Sequence, residues 1–486
     1  MIQFCEWLPD QPDYSNPGVT RAENVVPAAM GYRSLPEFVA YSDEASGNIN
    51  GVFAAKDNDG NVKLFAGDNS KLYELDTTDS SLDNISKASN YTLTTPKDRW
   101  RFAQFGKDVI AVGGLANPVQ KYTLGTSSLF ADLGGSPPDA DFVTVVRDFV
   151  WLGRAEDGSG NRVPYRVHWS GFNDAESWTA GTDQSDFQDI PDAGNVTGMV
   201  GGEYCTILRE RAIVRATYSG PPLIFQFDKV ETARGCQVPG SICNIGHTVF
   251  YLSDDGFYSF DGQRSQNIGA EKIDKFFFDD FNIAHKDKMT SSVDPQNQIA
   301  VWSYVSNGSL DEEPDKLLIY NYALGRWSIA NVSAGLIAPF YTPGYTLEQL
   351  DNINASLDAL PASLDSPLYK GGQYLFGGAL GKKIFTFSGD PLTGLIETGE
   401  TGLATGRQTI VTRAYPYHEG GSVTVQIGTR GLHSDDVTFT TAQSPSADGF
   451  APFRAQGRYH RARMNISGNW FFAQGMDIDA RQVGRR

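Results

Sequence analysis

The sequence predicts an all-β protein: an irregular β-propeller, with a C-terminal β-sandwich or barrel-like domain after it and an extended N-terminal arm before it. Three observations support this prediction. Aromatic residues make up 12% of the 486 residues, and 51 Gly and 24 Pro accompany apolar runs that stay short. A strand–turn–strand unit recurs along most of the chain, and long alternating runs appear near its C-terminal end. This composition and pattern are typical of many short antiparallel strands.

The clearest unit lies at residues 247–266, HTVFYLSDDGFYSFDGQRSQ. Its two apolar runs, 247–252 and 257–260, flank the pair Asp255-Gly256. Asp-Gly between strand-forming runs is a strong hairpin signal, because glycine adopts positive φ without a steric cost. A second turn at 261–262 follows at once and leads into another extended run.

Residues 1–50 contain many Pro, Asn and Gly residues and show little periodicity, as in LPDQPDYSNPG. The segment also contains Trp7, Tyr14, Tyr32 and Phe38, which makes it too apolar for a disordered tail. We therefore predict an extended arm that lies on other parts of the chain or on a partner. A basic segment followed by an apolar run is missing, so we expect no secretion signal.

Residues 51–390 are predicted to form the propeller body. Groups of three or four short strands recur at irregular intervals of about 45 to 65 residues, and such groups bury their faces by stacking around an axis. A sandwich or a pair of barrels remains the alternative. Besides the unit above, the predicted strands are 52–55, 62–65, 71–75, 99–105, 109–112, 119–124, 142–146, 149–153, 165–169, 196–200, 204–208, 212–217, 223–227, 299–305, 317–322, 327–329, 373–376 and 383–387.

Two segments interrupt this body. Residues 272–282 predict a short helix. Its apolar face comprises Ile273, Phe276, Phe277 and Phe281. Residues 346–366 form an acidic insert without Lys or Arg. A long loop in a compact β scaffold is more often functional than accidental, so we expect this insert to project over one face of the body.

Residues 391–486 are predicted to form the C-terminal β domain. The composition shifts to Gly, Thr and Glu from residue 394, and alternating strands follow, which indicates strands that are half-buried. The predicted strands are 408–415, 422–428, 437–441, 459–466 and 470–478. The last two are expected to pair with each other across a turn at 467–469.

The net charge of −18 argues against a firm grip on DNA phosphates. Seven arginines against two aspartates give residues 454–486 a net charge of +5, which leaves −23 for residues 1–453. A basic end on an acidic body suggests contact with an acidic neighbour, such as another copy of the chain. A solvated edge is the alternative. The arginines concerned are Arg454, Arg458, Arg461, Arg463, Arg481, Arg485 and Arg486.

No catalytic constellation is visible. The sequence contains no phosphate-binding loop, no HExxH and no GxSxG motif, and its six His are dispersed. We therefore predict no catalytic, cofactor-binding or metal-binding residues, no cofactor and no enzymatic activity. The four cysteines are expected to be free thiols. No stretch approaches the roughly 20 apolar residues of a membrane span, so no stable membrane insertion is expected.

Tryptophans could form a sugar-stacking surface, but in a propeller they are expected in the core between blades. Those considered are Trp169, Trp178, Trp302, Trp327 and Trp470.

Several segments, spread over nearly the whole chain, carry a resemblance to a known family. They are LPDQPDYSNPG with AENVVPAAMGYRSLPEF, LFAGDNSKLYEL, RWRFAQFGKDVIAVGG, VHWSGFNDAESWTAGTDQSDFQDIPDAGNVTGMVGGEYCTILRERAI, FYLSDDGFYSFDGQ and SGNWFFAQGMDIDARQVGRR. In this order they resemble the tail nozzle proteins of short-tailed bacteriophages, also called tail tubular protein B or packaged-DNA stabilisation proteins. None of the segments is a catalytic motif, so the specificity lies in their combination.

The resemblance implies a structural virion protein with a propeller-containing body. Six copies would form a tube below the portal and adaptor, where the tube extends and gates the DNA channel and retains packaged DNA until ejection. The implied partners are the chain itself in a homohexameric ring, the adaptor and portal proteins, tail fibres or spikes, and double-stranded DNA that passes without sequence recognition. The protein would be made and assembled in the bacterial host cytoplasm and would reside in the virion tail.

In such a tube, a channel wall that repels phosphates lets DNA slide, whereas a basic wall would hold it. The acidic insert is then the candidate channel or gate element, with an outer loop against a fibre or spike as the alternative. Its acidic residues are Glu348, Asp351, Asp358 and Asp365. The arginine-rich end is the candidate subunit or adaptor interface, because a guanidinium group pairs with a carboxylate in two places.

Two other classes of function remain open. One is a propeller hydrolase or lyase that acts on cell-surface polysaccharide, which needs a deep pocket with convergent carboxylates of perturbed pKa. The other is an interaction propeller of the kelch or lectin kind, which binds protein or carbohydrate. The oligomeric state separates the nozzle from both of these classes.

Overall fold

Antiparallel strands account for almost all regular structure. The computed structural model describes residues 2–57, 60, 62–76, 79–93, 98–114, 116–341, 350, 354, 356, 372, 374–404 and 407–483. Over these residues the strands form six four-stranded sheets and one 13-stranded sheet. The six small sheets are the blades of a β-propeller and the large sheet is curled, so the prediction of an all-β propeller with a further C-terminal sheet is confirmed.

Five blades follow one another along the chain. Blade 1 contains β6 (Gly51–Lys56), β7 (Val62–Gly67), β8 (Leu72–Leu75) and β9 (Leu82–Asn84). Blade 2 contains β10 (Arg101–Phe105), β11 (Asp108–Val112), β12 (Gln120–Thr123) and β13 (Ala131–Asp132). Blade 3 contains β14 (Phe142–Val146), β15 (Phe149–Gly153), β16 (Arg166–Trp169) and β17 (Asp186–Asp189). Blade 4 contains β18 (Val196–Val200), β19 (Tyr204–Arg209), β20 (Ile213–Tyr218) and β21 (Phe225–Glu231). Blade 5 contains β22 (Cys243–Ile245), β23 (Thr248–Leu252), β24 (Phe257–Phe260) and β25 (Ser265–Asn267).

Blade 6 combines three strands from residues 336–391 with one strand from the N-terminal arm. It contains β30 (Leu336–Tyr341), β31 (Tyr374–Leu380), β32 (Lys383–Pro391) and, at its outer edge, the N-terminal strand β5 (Pro36–Ala40). Between blades 5 and 6 lie four strands of the large sheet: β26 (Thr290–Asp294), β27 (Ile299–Tyr304), β28 (Lys316–Asn321) and β29 (Arg326–Ala330).

The first strands of the blades line the axis. Strand β6 adjoins β10, β10 adjoins β14, and β14 adjoins β18, while β26 contacts both β22 and β30, and β30 returns to β6. Blades 4 and 5 share a buried core in which Leu208 and Ile213 pack with Val249 and Tyr251. The strands β26–β29 therefore complete the ring that the six blades begin.

The hairpin at 247–266 forms as predicted. Leu252 pairs with Phe257, and the turn closes with a hydrogen bond from Ser253 N to Gly256 O at 2.9 Å. Gly256 has a φ of +150°, and a Cβ atom there would lie 2.2 Å from Asp274 Oδ2. The turn therefore requires glycine, as the Asp-Gly signal suggests.

The predicted helix is also present, as α1 (Asp274–Asp280). Ile273, Phe277 and Phe281 are buried, and Phe276 packs against the same core. Two 3₁₀ turns, Pro239–Ser241 and Ile283–Lys288, flank this part of the chain. The tryptophans predicted in the core are buried there: Trp169, Trp178, Trp302, Trp327 and Trp470. The cysteines are free thiols, and burial raises the pKa of Cys236 to about 11.

The N-terminal arm is extended but carries paired strands. These are β1 (Ile2–Gln3), β2 (Val19–Glu23), β3 (Val25–Ala28), β4 (Gly31–Ser34) and the outer strand of blade 6 already named. Strand β2 pairs with β29 on one side and with β33 (Gly394–Thr398) on the other. The arm thereby joins the propeller to the C-terminal strands within one hydrogen-bonded sheet.

The C-terminal strands depart from the predicted pattern. The large sheet contains β34 (Thr409–Arg430), β35 (Thr438–Phe439), β36 (Ala451–Gly457) and β37 (Tyr459–Gln482). The turn expected at 467–469 does not form, because β37 runs straight through it and pairs with β34 along nearly its whole length. Gly420 and Gly421, which were expected to separate two strands, lie opposite this segment, and the two irregular stretches face each other as bulges.

The sheet is unbroken at the predicted boundary near residue 390. Its path runs from β26–β29 through β2 and β33 to β37, β34 and β35. One buried cluster contains Trp7 of the arm, Trp302 of β27 and Trp470 of β37. The three predicted parts thus share hydrogen bonds and a core, and the division at 50 and 390 stays a prediction.

Candidate functional site

Some of the predicted site residues lie outside the described residues. These are the gate candidates Glu348, Asp351, Asp358 and Asp365 and the interface candidates Arg485 and Arg486. Their roles stay predictions.

Two of the predicted interface arginines form an internal network. Arg461 contacts Asp13 of the arm at 2.9 Å, Glu397 at 3.2 Å and Glu400 at 3.4 Å. Arg463 contacts Glu397 at 2.8 Å. Both glutamates are buried, so their charges require these cations. The two guanidinium groups are thus engaged within the chain, and that of Arg461 ties the arm to the C-terminal sheet. A contact of these two arginines with another subunit stays a prediction.

The same network extends to the turn after β34. Arg430 Nε lies 2.6 Å from Glu400, whose other neighbours include His433. His460 is buried beside it and shares a hydrogen bond of 2.7 Å with Thr409. Among the remaining predicted interface residues, Arg454 and Arg481 are exposed and Arg458 is half-buried. These three remain available for a contact.

A separate group of titratable side chains lines a cavity of about 440 Å³ on blade 3, which we call the side cavity. Its functional groups come from the loop before β14, the loop after β15, the strands β16 and β17, and the loop between them. They are Asp139, Glu156, Arg166, His168, Trp178 and Phe187. These residues lie far apart in sequence, and the blade brings them together.

Strand register places the aromatic wall of the side cavity. His168 pairs with Phe187 across β16 and β17, and Arg166 pairs with Asp189. The guanidinium of Arg166 binds the Asp189 carboxylate through two hydrogen bonds of 2.6 and 2.8 Å and stacks 4.2 Å above the Phe187 ring. Phe187 is held at the mouth with 39% of its surface exposed. The site thus presents a fixed aromatic face to solvent.

Two carboxyl groups of the side cavity, those of Asp139 and Glu156, hold protons more tightly than usual. Burial, followed by the charge of Glu156, raises the pKa of Asp139 to about 6. Burial also raises the pKa of Glu156, against the effect of Arg162. The backbone joins the two residues, because Glu156 N donates to Asp139 O at 3.0 Å. A carboxyl group that titrates near pH 6 can donate or accept a proton under physiological conditions.

His168 adds a neutral imidazole to the side cavity. Burial lowers its pKa to about 4, so the ring is uncharged at neutral pH. The ring lies between Trp178 and Phe187, at centroid distances of 5.5 and 5.8 Å. Its Nε2 atom is buried and has no hydrogen-bond partner among the described residues. A polar ligand in the cavity would satisfy this atom.

Two classes of site are not seen in the described part of the chain. It brings together no three or more His, Cys, Asp or Glu side chains that could hold a metal ion. None of its helices combines the length and the apolar character needed to cross a membrane.

Comparison with known proteins gives likenesses in fold alone. No protein family matches the chain, and no curated protein is detectably similar to it. A similar solved structure is the WD40 domain of Neurospora crassa Pan2, at 8% identity and a TM-score of 0.38, over 75% of this chain and 98% of that one. Another is an exo-β-1,3-galactanase from Phanerochaete chrysosporium, at 9% identity and a TM-score of 0.27, over 81% and 98%.

A third similar structure is the extracellular domain of a putative one-component system from B. thetaiotaomicron. It has 10% identity and a TM-score of 0.42 over 83% of this chain. The match covers 47% of that protein, so this chain spans about half of its length. At these identities and TM-scores, the likenesses carry no argument about a ligand or a partner.

The prediction that the chain is not an enzyme is wrong on this geometry, because the side cavity holds groups that can transfer protons. The titratable residues of the side cavity, Asp139, Glu156 and His168, come from separate segments of the sequence. A group of this kind has no fixed spacing, so a search for sequence motifs does not find it. The paired β16 and β17, with His168 and Phe187 on them, carried no signal that distinguishes a site from an ordinary blade.

Proposed function

We propose that the chain is a subunit of the tail nozzle of a short-tailed bacteriophage, where copies of it extend and gate the DNA channel below the portal and adaptor. The resemblance of its segments, in order, to that family motivates the proposal. The observation that carries it is the unbroken 13-stranded sheet, which joins the propeller, the arm and the C-terminal strands into one body. Such continuity would suit a wall subunit that bears load from packaged DNA.

The long strands add to this support. Strands β34 and β37 contain 22 and 24 residues, whereas an ordinary strand has about five or six. At about 3.3 Å per residue, each strand has a contour of roughly 70 to 80 Å. A paired ribbon of this length suits a wall element better than a compact binding domain.

The charge fits the same proposal. A net charge of −18 gives a surface that repels phosphates, which allows DNA to pass without being held. The exposed residues Arg454 and Arg481 are then the candidates for contact with an acidic neighbour in the ring or in the adaptor. Tail fibres or spikes would bind the outer surface.

The experiment is the mass of the purified protein in solution, alone and with the portal–adaptor complex of its phage. We expect about six copies in a ring, either alone or on that complex. A strict monomer that ignores the complex overturns the proposal. Arg454→Glu combined with Arg481→Glu should weaken the ring, whereas Arg264→Glu, an exposed change on blade 5, should not.

A second candidate function is favoured by the side cavity: a propeller that binds carbohydrate or acts on polysaccharide. An exposed aromatic face beside carboxyl groups and an imidazole is an arrangement suited to a sugar ring, which stacks through its C–H face and hydrogen-bonds through its hydroxyls. Phe187 would supply the stacking face. Asp139, with a pKa of about 6, would be the proton donor if a glycosidic bond is broken.

The second candidate is tested by binding to bacterial surface oligosaccharides and by release of reducing ends. Phe187→Ala should abolish binding, and Asp139→Asn should abolish any release of reducing ends. Phe172→Ala is the matched control, because Phe172 is also exposed on blade 3 but lies outside the cavity. If the wild-type protein binds no oligosaccharide, or if the two Phe variants bind alike, this second candidate is wrong.

A further inference from the structure

The lining of the side cavity on blade 3 carries more acidic than basic groups. It contains three carboxyl groups, those of Asp139, Glu156 and Asp157, and one cation, Arg166. The guanidinium of Arg166 is already bound through two hydrogen bonds to Asp189, which does not line the cavity. The cation of the lining therefore does not offset its three acidic groups.

The other cations that act on these carboxyl groups are also paired outside the cavity. Arg162 contacts Asp141 at 2.8 Å, and Lys87 contacts Asp132 at 2.6 Å. Each of the two cations lowers the pKa of one cavity carboxyl, but burial has the larger effect and leaves both pKa values above their ordinary range. The surroundings thus disfavour a second negative charge in the cavity and favour a positive one.

Two of the three carboxyl groups lack hydrogen-bond donors. Asp139 and Glu156 are half-buried, and over the described part of the chain neither side chain accepts a hydrogen bond. Asp157 differs, because the backbone N–H groups of Asn161 and Ser159 donate to it at 2.9 Å and hold its pKa below the usual range. Carboxyl groups withdrawn from water are normally hydrogen-bonded, so a ligand with N–H or O–H donors would complete this pair.

The aromatic part of the wall also suits a cation. The rings of Trp178 and Phe187 line the cavity on either side of His168. Aromatic faces attract an ammonium group, because their π-systems are negative. Burial lowers the pKa of His168 to about 4, so its imidazole is uncharged at neutral pH and does not repel a cation. Carboxyl groups and rings therefore favour the same sign of ligand charge.

We propose that the side cavity selects sugars with a free, protonated amino group over N-acetylated sugars, and that it excludes uronic acids. This inference rests on the second candidate function, the binding of carbohydrate, and adds the charge of the ligand to it. The ammonium group brings three N–H donors to Asp139 and Glu156, while the sugar ring stacks on Phe187. An ammonium group beside Asp139 also favours the ionised carboxylate, so an amino sugar is a ligand and a poor substrate for a proton donor at that position.

The test is calorimetric titration of the full chain with three trisaccharides at constant ionic strength, built from glucosamine, N-acetylglucosamine or galacturonic acid. We expect the amino trisaccharide to bind at least tenfold more tightly than the N-acetylated one, and the acidic one not to bind measurably. Glu156→Gln and Asp139→Asn should each reduce that ratio at least threefold. Asp148→Asn is the matched control, because it removes the same charge at an exposed turn of blade 3 outside the cavity.

Phe187→Ala separates binding in the cavity from attraction to the surface as a whole. A chain with a net charge of −18 attracts any cationic sugar to some extent. The variant keeps every charge of the chain and loses the stacking face. Binding of the amino trisaccharide should therefore fall by the same factor as binding of the N-acetylated one.

Proton release gives a second readout that surface attraction does not produce. At pH 6 about half of the Asp139 carboxyl groups are protonated, so binding of the ammonium group should release up to about half a proton. Titrations in two buffers of different ionisation enthalpy measure this number. The N-acetylated trisaccharide should release none, and Asp139→Asn should release none with either sugar.

The outcomes distinguish this inference from the function on which it rests. If the sugars bind the wild type but the amino and N-acetylated trisaccharides bind alike, the inference is overturned and the second candidate function stands. The same holds if the ratio is unchanged in Glu156→Gln and Asp139→Asn, each shown by circular dichroism to be folded, or if no proton is released. If no sugar binds the wild type, both are overturned.

Discussion

The carboxylate of Asp10 accepts a hydrogen bond of 2.8 Å from the backbone N–H of Phe276, although the two residues are 266 positions apart. Its other oxygen accepts from Lys275 N at 2.9 Å. Asp10 thus caps the first turn of α1, where the helix offers unpaired N–H groups and a partial positive charge. The arm supplies a cap that the helix lacks in its own sequence, since Ile273 at the cap position has no side-chain acceptor.

Asp10→Ala should lower the free energy of unfolding by about 1 kcal/mol, the usual cost of losing a helix cap. It should also expose the arm to proteases, because the cap ties the arm to the body. Urea denaturation and limited proteolysis measure the two effects. Asp43→Ala is the control, since Asp43 is an exposed arm residue without such a contact. Equal stabilities of the two variants would contradict the prediction.

Arg461→Met should destabilise the fold by roughly 3 kcal/mol, because removing one partner leaves buried carboxylates short of a cation. The carboxylates concerned are those of Glu397 and Glu400, which are 3% and 2% exposed. Arg454→Met, on an exposed position of β36, should change the stability by less than about 0.5 kcal/mol. The denaturant midpoints of unfolding of Arg461→Met and Arg454→Met give this difference in stability. If they agree, Arg461 contributes nothing to the arm contact.

Stability should depend on pH through Asp139. Its folded pKa of about 6 lies above the ordinary value of 3.8, so the folded state binds this proton more tightly than the unfolded state. The resulting stabilisation is complete below the unfolded pKa and is lost as the pH rises through the folded value. Because Asp139 is partly exposed, we expect a loss of roughly 1 kcal/mol between pH 4 and pH 7.

Asp139→Asn is the variant that isolates this effect. The variant should become more stable relative to the wild type as the pH rises from 4 to 7, by about the same amount. Thermal unfolding at both pH values provides the comparison. A constant difference between the two proteins would show that Asp139 does not titrate in this range.

Gly421→Ala should cost clearly more than Gly468→Ala. Both glycines have positive φ, at +66° and +78°, so both substitutions carry about 1 kcal/mol of backbone strain. A Cβ atom at Gly421 would also lie 2.6 Å from Ser467 O and 2.7 Å from Trp470 Cβ, whereas the nearest atom at Gly468 is 3.9 Å away. We expect an extra cost of roughly 2 kcal/mol at Gly421. Denaturant unfolding of the two variants gives the difference in their free energies of unfolding. Equal losses of stability would mean that the two bulges move apart enough to accommodate the added Cβ atom at Gly421.

Much of the propeller could be predicted because its inner strands are apolar runs separated by short polar turns. The strands predicted at 142–146 and 149–153 coincide with β14 and β15, where apolar residues flank a short polar turn. The outer strands β9, β13 and β17 were missed. Edge strands are short and polar, which protects them from pairing with other chains and removes the apolar signal.

The arm and the long ribbon were harder to predict for a different reason. The pairing of β2 with β33 joins residues about 375 positions apart, such as Val19 and Thr398, and a local pattern does not encode it. Glycines at 420–421 and 468 resemble turn signals, but they serve as facing bulges inside two continuous strands. The side cavity was missed because Asp139, Glu156 and His168 gain their character from burial, which the sequence does not show.

The closure of blade 6 by an N-terminal strand determines when the chain can finish folding. Strand β5 leaves the ribosome before its partner β32, which ends at Pro391, about 350 residues later. At about 5 to 20 residues per second, the arm waits roughly 20 to 70 s during synthesis before that partner exists. The ring therefore shuts only after β32 has been synthesised, and the unpaired arm is exposed until then. Slower growth at low temperature should raise the yield of folded protein, since it lowers the concentration of nascent chains whose arms can pair with one another.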